Sequence, residues 1–273
     1  MKQALVIGNP ISHSLSPKLH KYWLENYAIT GDYLAQQILP EDLEDFLLNF
    51  TASSYSGANI TIPHKEAAFK ILKAHNFTIS KLAEQIGAVN TIYVEQGQLK
   101  ATNTDYYGFK HALLRQYPEY KFAQQKILLI GAGGAARALI AGLATEDIAE
   151  LNLLNRTLSK AEKLQQEFPY LKVTEFSELL AAINHADLIV NCSSCGMNGQ
   201  NNLTIDFNQI KEQKLFYDIV YKPLHTKLLE DALANNHKIA TGLAMLAYQA
   251  VPAFEKFFGT KPEVTAELLD ILE

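Results

Sequence analysis

Lys65 and Asp105 stand far apart in the chain, yet together they are what a carbonyl–alcohol interconversion needs. A carbonyl oxygen gains a proton as its carbon gains a hydride, so an ammonium donor held by a carboxylate suits the step. Lys65 closes the run Gly57-Ala58-Asn59-Ile60-Thr61-Ile62-Pro63-His64-Lys65 and stands just past a proline, at the start of a helix. A cation is oddly placed there, because helix N-termini favour anions, and such a place favours release of a proton. Taken alone, Lys65 reads as a solvated surface lysine, and Asp105, in Asn103-Thr104-Asp105, as a helix N-cap. Other polar groups surround the pair in the sequence. If residues 57–62 form a strand, Asn59, Thr61 and Pro63 share one face. Asn90, in Gly87-Ala88-Val89-Asn90-Thr91, can present an amide to a hydroxyl. Ser14 and Ser16 alternate, so in extended chain both hydroxyls point one way and suit a carboxylate or a polyol. The competing reading makes Ser16 the cap of the helix that follows.

A second constellation concerns a cofactor. The apolar run Lys126–Ile130 stops at Gly131-Ala132-Gly133-Gly134-Ala135-Ala136, and helix-prone sequence follows. This is the G-x-G-x-x-G/A pattern of a dinucleotide site. Gly131 serves the tight turn, Gly133 lets backbone approach a pyrophosphate, and Ala136 lets the helix pack close to the strand. The helix N-terminus offers free N–H groups and a positive dipole end. Glycine-rich turns also arise for packing alone, so the next strand matters. It ends in Asn155-Arg156-Thr157, 24 positions after Gly131, where an NAD site would carry an acid for the ribose 2′-hydroxyl. A guanidinium there matches a 2′-phosphate in charge and fork geometry. The cofactor expected is NADP(H). The competing reading leaves Arg156 solvating a strand end.

The elements that must position these groups alternate strand-like and helix-like periods. In the front segment, strands are expected over 5–7, 33–37 and 57–62, and helices from Pro17 to about Tyr27 and over 41–50. A hairpin is expected over 88–94 and 98–102 around Gln96-Gly97. A helix follows from about Asp105 to Tyr117. Further strands are expected near 127–130, 150–154, 187–191 and 215–219. The tail from Gly242 is helical in period, with Pro252 placed to kink or divide it. The expected fold is α/β in two domains. An α/β substrate domain covers 1–104, a Rossmann-type doubly wound NADP-binding domain covers 105–237, and C-terminal helices over 238–273 return to the first. A cleft between the domains, with hinges near 103–106 and 236–242, is the expected place of reaction.

Composition excludes several classes. The 273 residues suffice for two domains, and a hydrophobic fraction of 48% is that of an ordinary globular enzyme. The net charge of −5 is carried by scattered residues without a Lys/Arg block, so no nucleic-acid partner is expected. No apolar run approaches a membrane span, and no membrane partner is expected. Cys192 and Cys195 have C-x-x-C spacing, but no second ligand pair exists, so no metal is expected and a small-residue loop is the better account. Few cysteines and no signal peptide point to the cytoplasm. The partner expected is a small-molecule substrate, and the assembly a monomer or a homodimer.

The ordered motifs resemble those of the shikimate dehydrogenase family. They comprise Ser14-Leu15-Ser16-Pro17, Asn59 to Lys65, Gly87 to Thr91, Asn103-Thr104-Asp105, Gly131 to Ala136 and Asn155-Arg156-Thr157. Asn191 to Met197, Asp218 to Pro223 and Gly242 to Gln249 complete the series, which spans essentially the whole chain. The resemblance implies NADPH-dependent reversible reduction of 3-dehydroshikimate to shikimate, in aromatic amino-acid biosynthesis. It implies Lys65 and Asp105 as the catalytic pair, Ser14 and Ser16 on the substrate carboxylate, and Tyr221 nearby. Asn59, Thr61, Asn90, Asp105 and Gln249 would hold the ring hydroxyls and the carbonyl side. Gly131, Ala132, Gly133, Gly134, Ala135 and Ala136, with Asn155, Arg156 and Thr157, would bind the cofactor. Met197 and Gly242 would lie near the nicotinamide, with Ile219 a further cofactor contact. Cys192 and Cys195 depart from the alanine and serine often seen in that loop.

Three alternatives remain at this point. A quinate/shikimate dehydrogenase would accept a ring with an additional hydroxyl. A nucleotide-sensing protein on the same fold would lack the proton-transfer residues, yet Lys65 and Asp105 are present. A methyltransferase would normally want an acid where Asn155 stands.

Overall fold

A computed structural model describes residues 2–197 and 200–273. The chain divides into two units, Met1–Gly108 with Leu246–Glu273, and Phe109–Met245. Both breaks fall inside helices, beyond the expected 104/105 and 237/238, and the second moves because Lys238–Thr241 is a strand of the second sheet rather than part of the C-terminal helices.

The first unit contains, in order, β1 Lys2–Gly8, α1 Ser16–Asn26, β2 Gly31–Gln37, α2 Leu43–Leu48 and β3 Tyr55–Ile60. Then follow α3 Lys65–Ala74, β4 Thr78–Ile79, α4 Lys81–Ile86, β5 Thr91–Glu95, β6 Gln98–Thr102 and the start of α5 Asp105–Gln116. The six-stranded sheet runs β2-β1-β3-β5-β6-β4. β1 is parallel to both neighbours, whereas β3–β5 and β5–β6 are antiparallel. Ala4, Leu5, Val6 and Ile7 are all buried, the continuous apolar run of a strand covered on both faces. Leu5, Ile7, Ala58, Ile60 and Ile92 pack one way with Leu43 and Leu72. On the other side His20, Trp23, Tyr33, Phe254 and Phe257 form an aromatic cluster, each fully buried ring of this size contributing about 1.5–3 kcal/mol.

Several expected boundaries move. β3 ends at Ile60, because the chain turns through Ile62-Pro63, and β5 starts only at Thr91. The expected helix over 41–50 is the six-residue α2 between two short 3-10 turns. The hairpin turn is as its sequence suggests, with Gln96 at φ 53° and Gly97 at φ 74°. Pro252 does not divide the tail. The helix α10, Gly242–Phe258, runs through it, held by Ala247, Ala250, Val251, Ala253 and Phe254, all buried. α11, Ala266–Leu272, closes the chain.

The second unit is a parallel six-stranded sheet of order β12-β11-β10-β7-β8-β9. Its elements are β7 Lys126–Ile130, α6 Gly134–Leu143, β8 Glu150–Leu154, α7 Leu158–Glu167, β9 Lys172–Thr174 and α8 Leu179–His185. β10 Leu188–Asn191, β11 Leu215–Asp218, α9 Lys227–Ala234 and β12 Lys238–Thr241 complete it. Numbered from β7, the order is 3-2-1-4-5-6, the doubly wound arrangement, with its switch point between β7 and β10. Leu128, Ile130, Leu154, Ile189, Phe216, Leu228 and Leu229 share its core. Among the described residues, no helix is long and apolar enough to cross a membrane.

Candidate active site

Sheet topology gathers the first constellation. Val6 pairs with Asn59, Asn59 with Thr91, and Thr91 with Thr102. Because β5 is antiparallel to β3 and β6, its start lies at the same sheet end as the carboxyl ends of β1, β3 and β6. Residues just past those ends are Ser14 and Ser16, Thr61 to Lys65, Asn90, and Asn103 to Asp105.

Lys65 opens α3 and Asp105 opens α5. Lys65 Nζ donates to Asp105 Oδ2 at 2.7 Å, with side chains 17% and 5% exposed. Asp105 is not the N-cap that its sequence suggests. Asn103 Oδ1 accepts from the Asp105 N–H at 2.9 Å, which releases the carboxylate to reach the lysine. The α5 N-terminus favours that anion. Asn90 Nδ2 donates to the other oxygen, Asp105 Oδ1, at 2.8 Å, and to Thr104 Oγ1 at 3.0 Å. Asn90 Oδ1 accepts from Thr104 N at 2.9 Å and from Thr91 Oγ1 at 2.9 Å. Gln249 of α10 approaches the same amide, its Oε1 accepting from Asn90 Nδ2 at 3.4 Å. Asn59, almost fully buried, donates to Thr91 Oγ1 at 3.1 Å and to the Asn90 carbonyl at 3.3 Å, and accepts from Tyr33 Oη at 2.7 Å.

One network therefore joins Asn59, Asn90, Gln249, Asp105 and Lys65. Ser14, Ser16 and Thr61 lie outside it. Ser14 and Ser16 do not alternate along a strand. Leu15 between them is helical, with φ −83° and ψ −7°, and Ser16 is already in the first turn of α1. Ser14 Oγ accepts from the Ser16 N–H at 3.3 Å, so Ser16 is not the cap. Thr61 lies beyond β3, where its N–H still donates to the Ile7 carbonyl at 2.9 Å. Tyr33, Thr91 and Thr104 were assigned no role from sequence. The available signal was Asn59 itself, an amide between Ala58 and Ile60 in the buried half of a strand, which demands buried partners.

In the second unit the glycine turn stands at the carboxyl end of β7. Gly131 has φ 110°, and a Cβ there would come within 2.8 Å of the Ser193 backbone nitrogen, beyond β10. The turn therefore abuts the switch point. Gly133 precedes α6, and a Cβ on it would meet nothing within 4 Å. That open space at the N-terminus of a ten-residue helix fits a pyrophosphate. Ala132, Gly134 and Ala135 are half-buried and Ala136 is buried against the sheet. Past β8, Asn155 Nδ2 donates to the Thr157 carbonyl at 2.8 Å, which shapes the turn. Arg156 and Thr157 are exposed, so the guanidinium can reach a 2′-phosphate.

The loops past β10 and β11 carry the remaining residues. Met197 is 41% exposed, and Ile219 and Tyr221 are half-buried. Burial raises the Tyr221 phenol above its ordinary range. Gly242 is buried against the 219–220 turn. Cys192 and Cys195 are free thiols, and burial, then the nearby Asp218 carboxylate, pushes the Cys192 thiol up. Among the described residues, no cluster of three metal-ligating side chains occurs.

A doubly wound sheet with a glycine turn at its switch point, and a second α/β unit holding a lysine–carboxylate pair, define a nucleotide-dependent oxidoreductase. The model of the shikimate dehydrogenase substrate-binding domain matches residues 6–92, and that of shikimate/quinate 5-dehydrogenase matches residues 113–221. The NADP(+) shikimate dehydrogenase of Methylocella silvestris is 40% identical, over 99% of this chain and 95% of that protein. The solved shikimate dehydrogenase of Aquifex aeolicus has a TM-score of 0.88 at 34% identity, covering 100% of this chain and 97% of that one. The shikimate 5-dehydrogenase of Thermus thermophilus, solved in complex with NADP(H) and shikimate, has a TM-score of 0.83 at 32% identity, covering 100% and 98%. The chain belongs to the shikimate dehydrogenase family.

Proposed function

We propose that this chain catalyses the reversible NADPH-dependent reduction of 3-dehydroshikimate to shikimate. The observation that carries the reading is the Lys65–Asp105 pair at 2.7 Å, steadied by Asn90 on the far carboxylate oxygen. Bound NADPH supplies the hydride for the C3 carbonyl carbon. Lys65 Nζ donates a proton to the carbonyl oxygen, and in the oxidation it takes the hydroxyl proton back. Asp105 holds the ammonium in place. Ser14 and Ser16 take the ring carboxylate, which fixes the carbonyl's position and saves orientational entropy. Asn59, Thr61, Asn90 and Gln249 take the ring hydroxyls. The contact between Asn90 and Gln249 is long, at 3.4 Å, and a substrate hydroxyl can replace it.

On the cofactor side, Gly131 to Ala136 cradle the pyrophosphate, and Asn155, Arg156 and Thr157 take the 2′-phosphate. Met197, Ile219 and Gly242 border the nicotinamide. The protein acts as a cytoplasmic monomer or homodimer, which light scattering and fractionation test. The experiment for the reaction is turnover of shikimate with NADP⁺ against NAD⁺, repeated with quinate. Equal turnover of quinate, or preference for NAD⁺, would favour the quinate/shikimate branch instead.

A further inference from the structure

We infer that Asp218 is a positioning residue that fixes the loops on the nicotinamide side of the cofactor site. The inference rests on the cofactor placement proposed above, in which Met197, Ile219 and Gly242 border the nicotinamide. Asp218 ends β11 and is fully buried. Its Oδ1 accepts from Asn191 Nδ2 at 2.9 Å and from the Val220 N–H at 3.0 Å, and its Oδ2 accepts from Thr226 Oγ1 at 2.6 Å. These three donors lie at the end of β10 and at both ends of the β11–α9 loop.

The first arm sets the loop that leads to Met197. A carboxylate can only accept, so the Asn191 amide must turn its NH2 toward Asp218. The same NH2 reaches the Cys195 carbonyl at 3.0 Å. Asn191 Oδ1 is then left for Ser193, accepting from its N–H at 3.1 Å and its hydroxyl at 2.6 Å. Ser193 Oγ in turn accepts from the Cys195 N–H at 3.1 Å. The carboxylate and the Cys195 carbonyl thus agree on the orientation of the Asn191 amide, and through it Asp218 is joined to the links across residues 191–195. The second arm pins the turn at 219–221, whose Ile219 N–H also donates to the Asn191 carbonyl at 3.1 Å. Gly242 packs on that turn, since a Cβ there would sit 2.2 Å from the Ile219 carbonyl oxygen. The third arm holds Thr226, the residue before α9, and a Cβ on Gly196 would come within 3.0 Å of the Thr226 Cβ. The segments bearing Met197 and Ile219 therefore meet at one side chain, and Gly242 packs on the turn that this side chain pins.

Among the described residues no cation pairs with Asp218. Burial pushes its carboxyl up to about 6, against the pull of its Thr226, Val220 and Asn191 donors. A charge held in such a place destabilises the fold, and what it provides is an acceptor that ties the end of β10 to both ends of the β11–α9 loop.

The test compares Asp218→Ala, Asp218→Asn and Thr226→Val with the unaltered protein. Two affinities are measured: NADPH by its fluorescence, and adenosine 2′,5′-bisphosphate by calorimetry. The latter engages only the glycine turn and the 155–157 turn. For Asp218→Ala, NADPH should bind about tenfold more weakly or worse, whereas the bisphosphate should change less than about twofold. Asp218→Asn keeps the Oδ1 bonds, and its Nδ2 can donate to Thr226 Oγ1, so it should restore NADPH binding to within about threefold. Thr226→Val removes one arm only and should weaken NADPH selectively and by less, which serves if the alanine variant does not fold. Unchanged NADPH affinity in a folded variant, or equal loss of both ligands, overturns the inference. If the unaltered protein binds neither ligand, the cofactor placement itself is wrong.

Discussion

Removing one hydroxyl, in Tyr33→Phe, separates what holds the substrate-side network together from what orients it. Tyr33 Oη donates to Asn59 Oδ1 at 2.7 Å, and both residues are almost fully buried. The ring should stay, because His20 stacks on it at 3.8 Å with an interplanar angle of 7°. What changes is that Asn59 Oδ1 loses its donor. The amide cannot flip to find another, since its Nδ2 faces the Asn90 carbonyl, which can only accept. A buried acceptor left without a partner costs about 1–3 kcal/mol, so a loss of about 2 kcal/mol is expected. For a unit of this size that is about 6 °C in Tm. Orientation, by contrast, is kept by backbone, so kcat should stay within about threefold. Thermal melts and steady-state rates on the same preparation check both. An unchanged Tm would refute the buried bond. A hundredfold fall in kcat with an unchanged melt would refute the claim that the Asn90 carbonyl orients Asn59.

Three further outcomes are expected. Arg156→Ala should raise KM for NADPH about tenfold or more while leaving KM for NADH unchanged, since only the 2′-phosphate meets the guanidinium; equal effects on both would remove the assignment. Gly133→Val should melt within about 2 °C of the unaltered protein, since a Cβ there meets nothing within 4 Å, and yet lose NADPH binding measured by fluorescence titration. His20 is fully buried without a partner, and burial lowers it from 6.5 to about 3. Its folded form is neutral while the unfolded chain protonates below 6.5, so stability is present above that pH and is lost as the pH falls toward 3. Between pH 6.5 and 4.5 the loss from this group should be about 2 kcal/mol, and urea melts of His20→Phe should lack that component.

The glycine turn was legible because it depends on residue types that few other contexts require: a positive φ at Gly131 and open space at Gly133. The strands β7 and β10 were legible from the apolar runs 127–130 and 188–190, and β8 from leucines on both sides of Asn152. β9 and β12 were not, because three or four residues beginning with lysine carry no period, and such edges are short for that reason. Ser14 and Ser16 misled because alternation in sequence implies a shared face only in extended chain, and Leu15 is helical. Asp105 looked like a cap until Asn103 was seen to occupy that role. The Lys65–Asp105 pair was readable as chemistry, but not the side chains behind it. Tyr33 is 26 residues from Asn59, and the strand order that brings them together has no local signature; Thr226 is 8 from Asp218, and neither has the course of the β11–α9 loop that joins them.

The most direct measurement is the rate of nicotinamide absorbance change when purified protein meets shikimate and NADP⁺, taken beside Lys65→Ala. The unaltered protein should turn over shikimate with NADP⁺ and far less with NAD⁺. Lys65→Ala should keep its affinity for NADPH and lose about 10²–10⁴-fold in kcat, the usual contribution of a positioned acid–base group. Turnover by Lys65→Ala at a near-normal rate, or no shikimate-dependent signal from the unaltered protein, would contradict the proposed reaction at its centre.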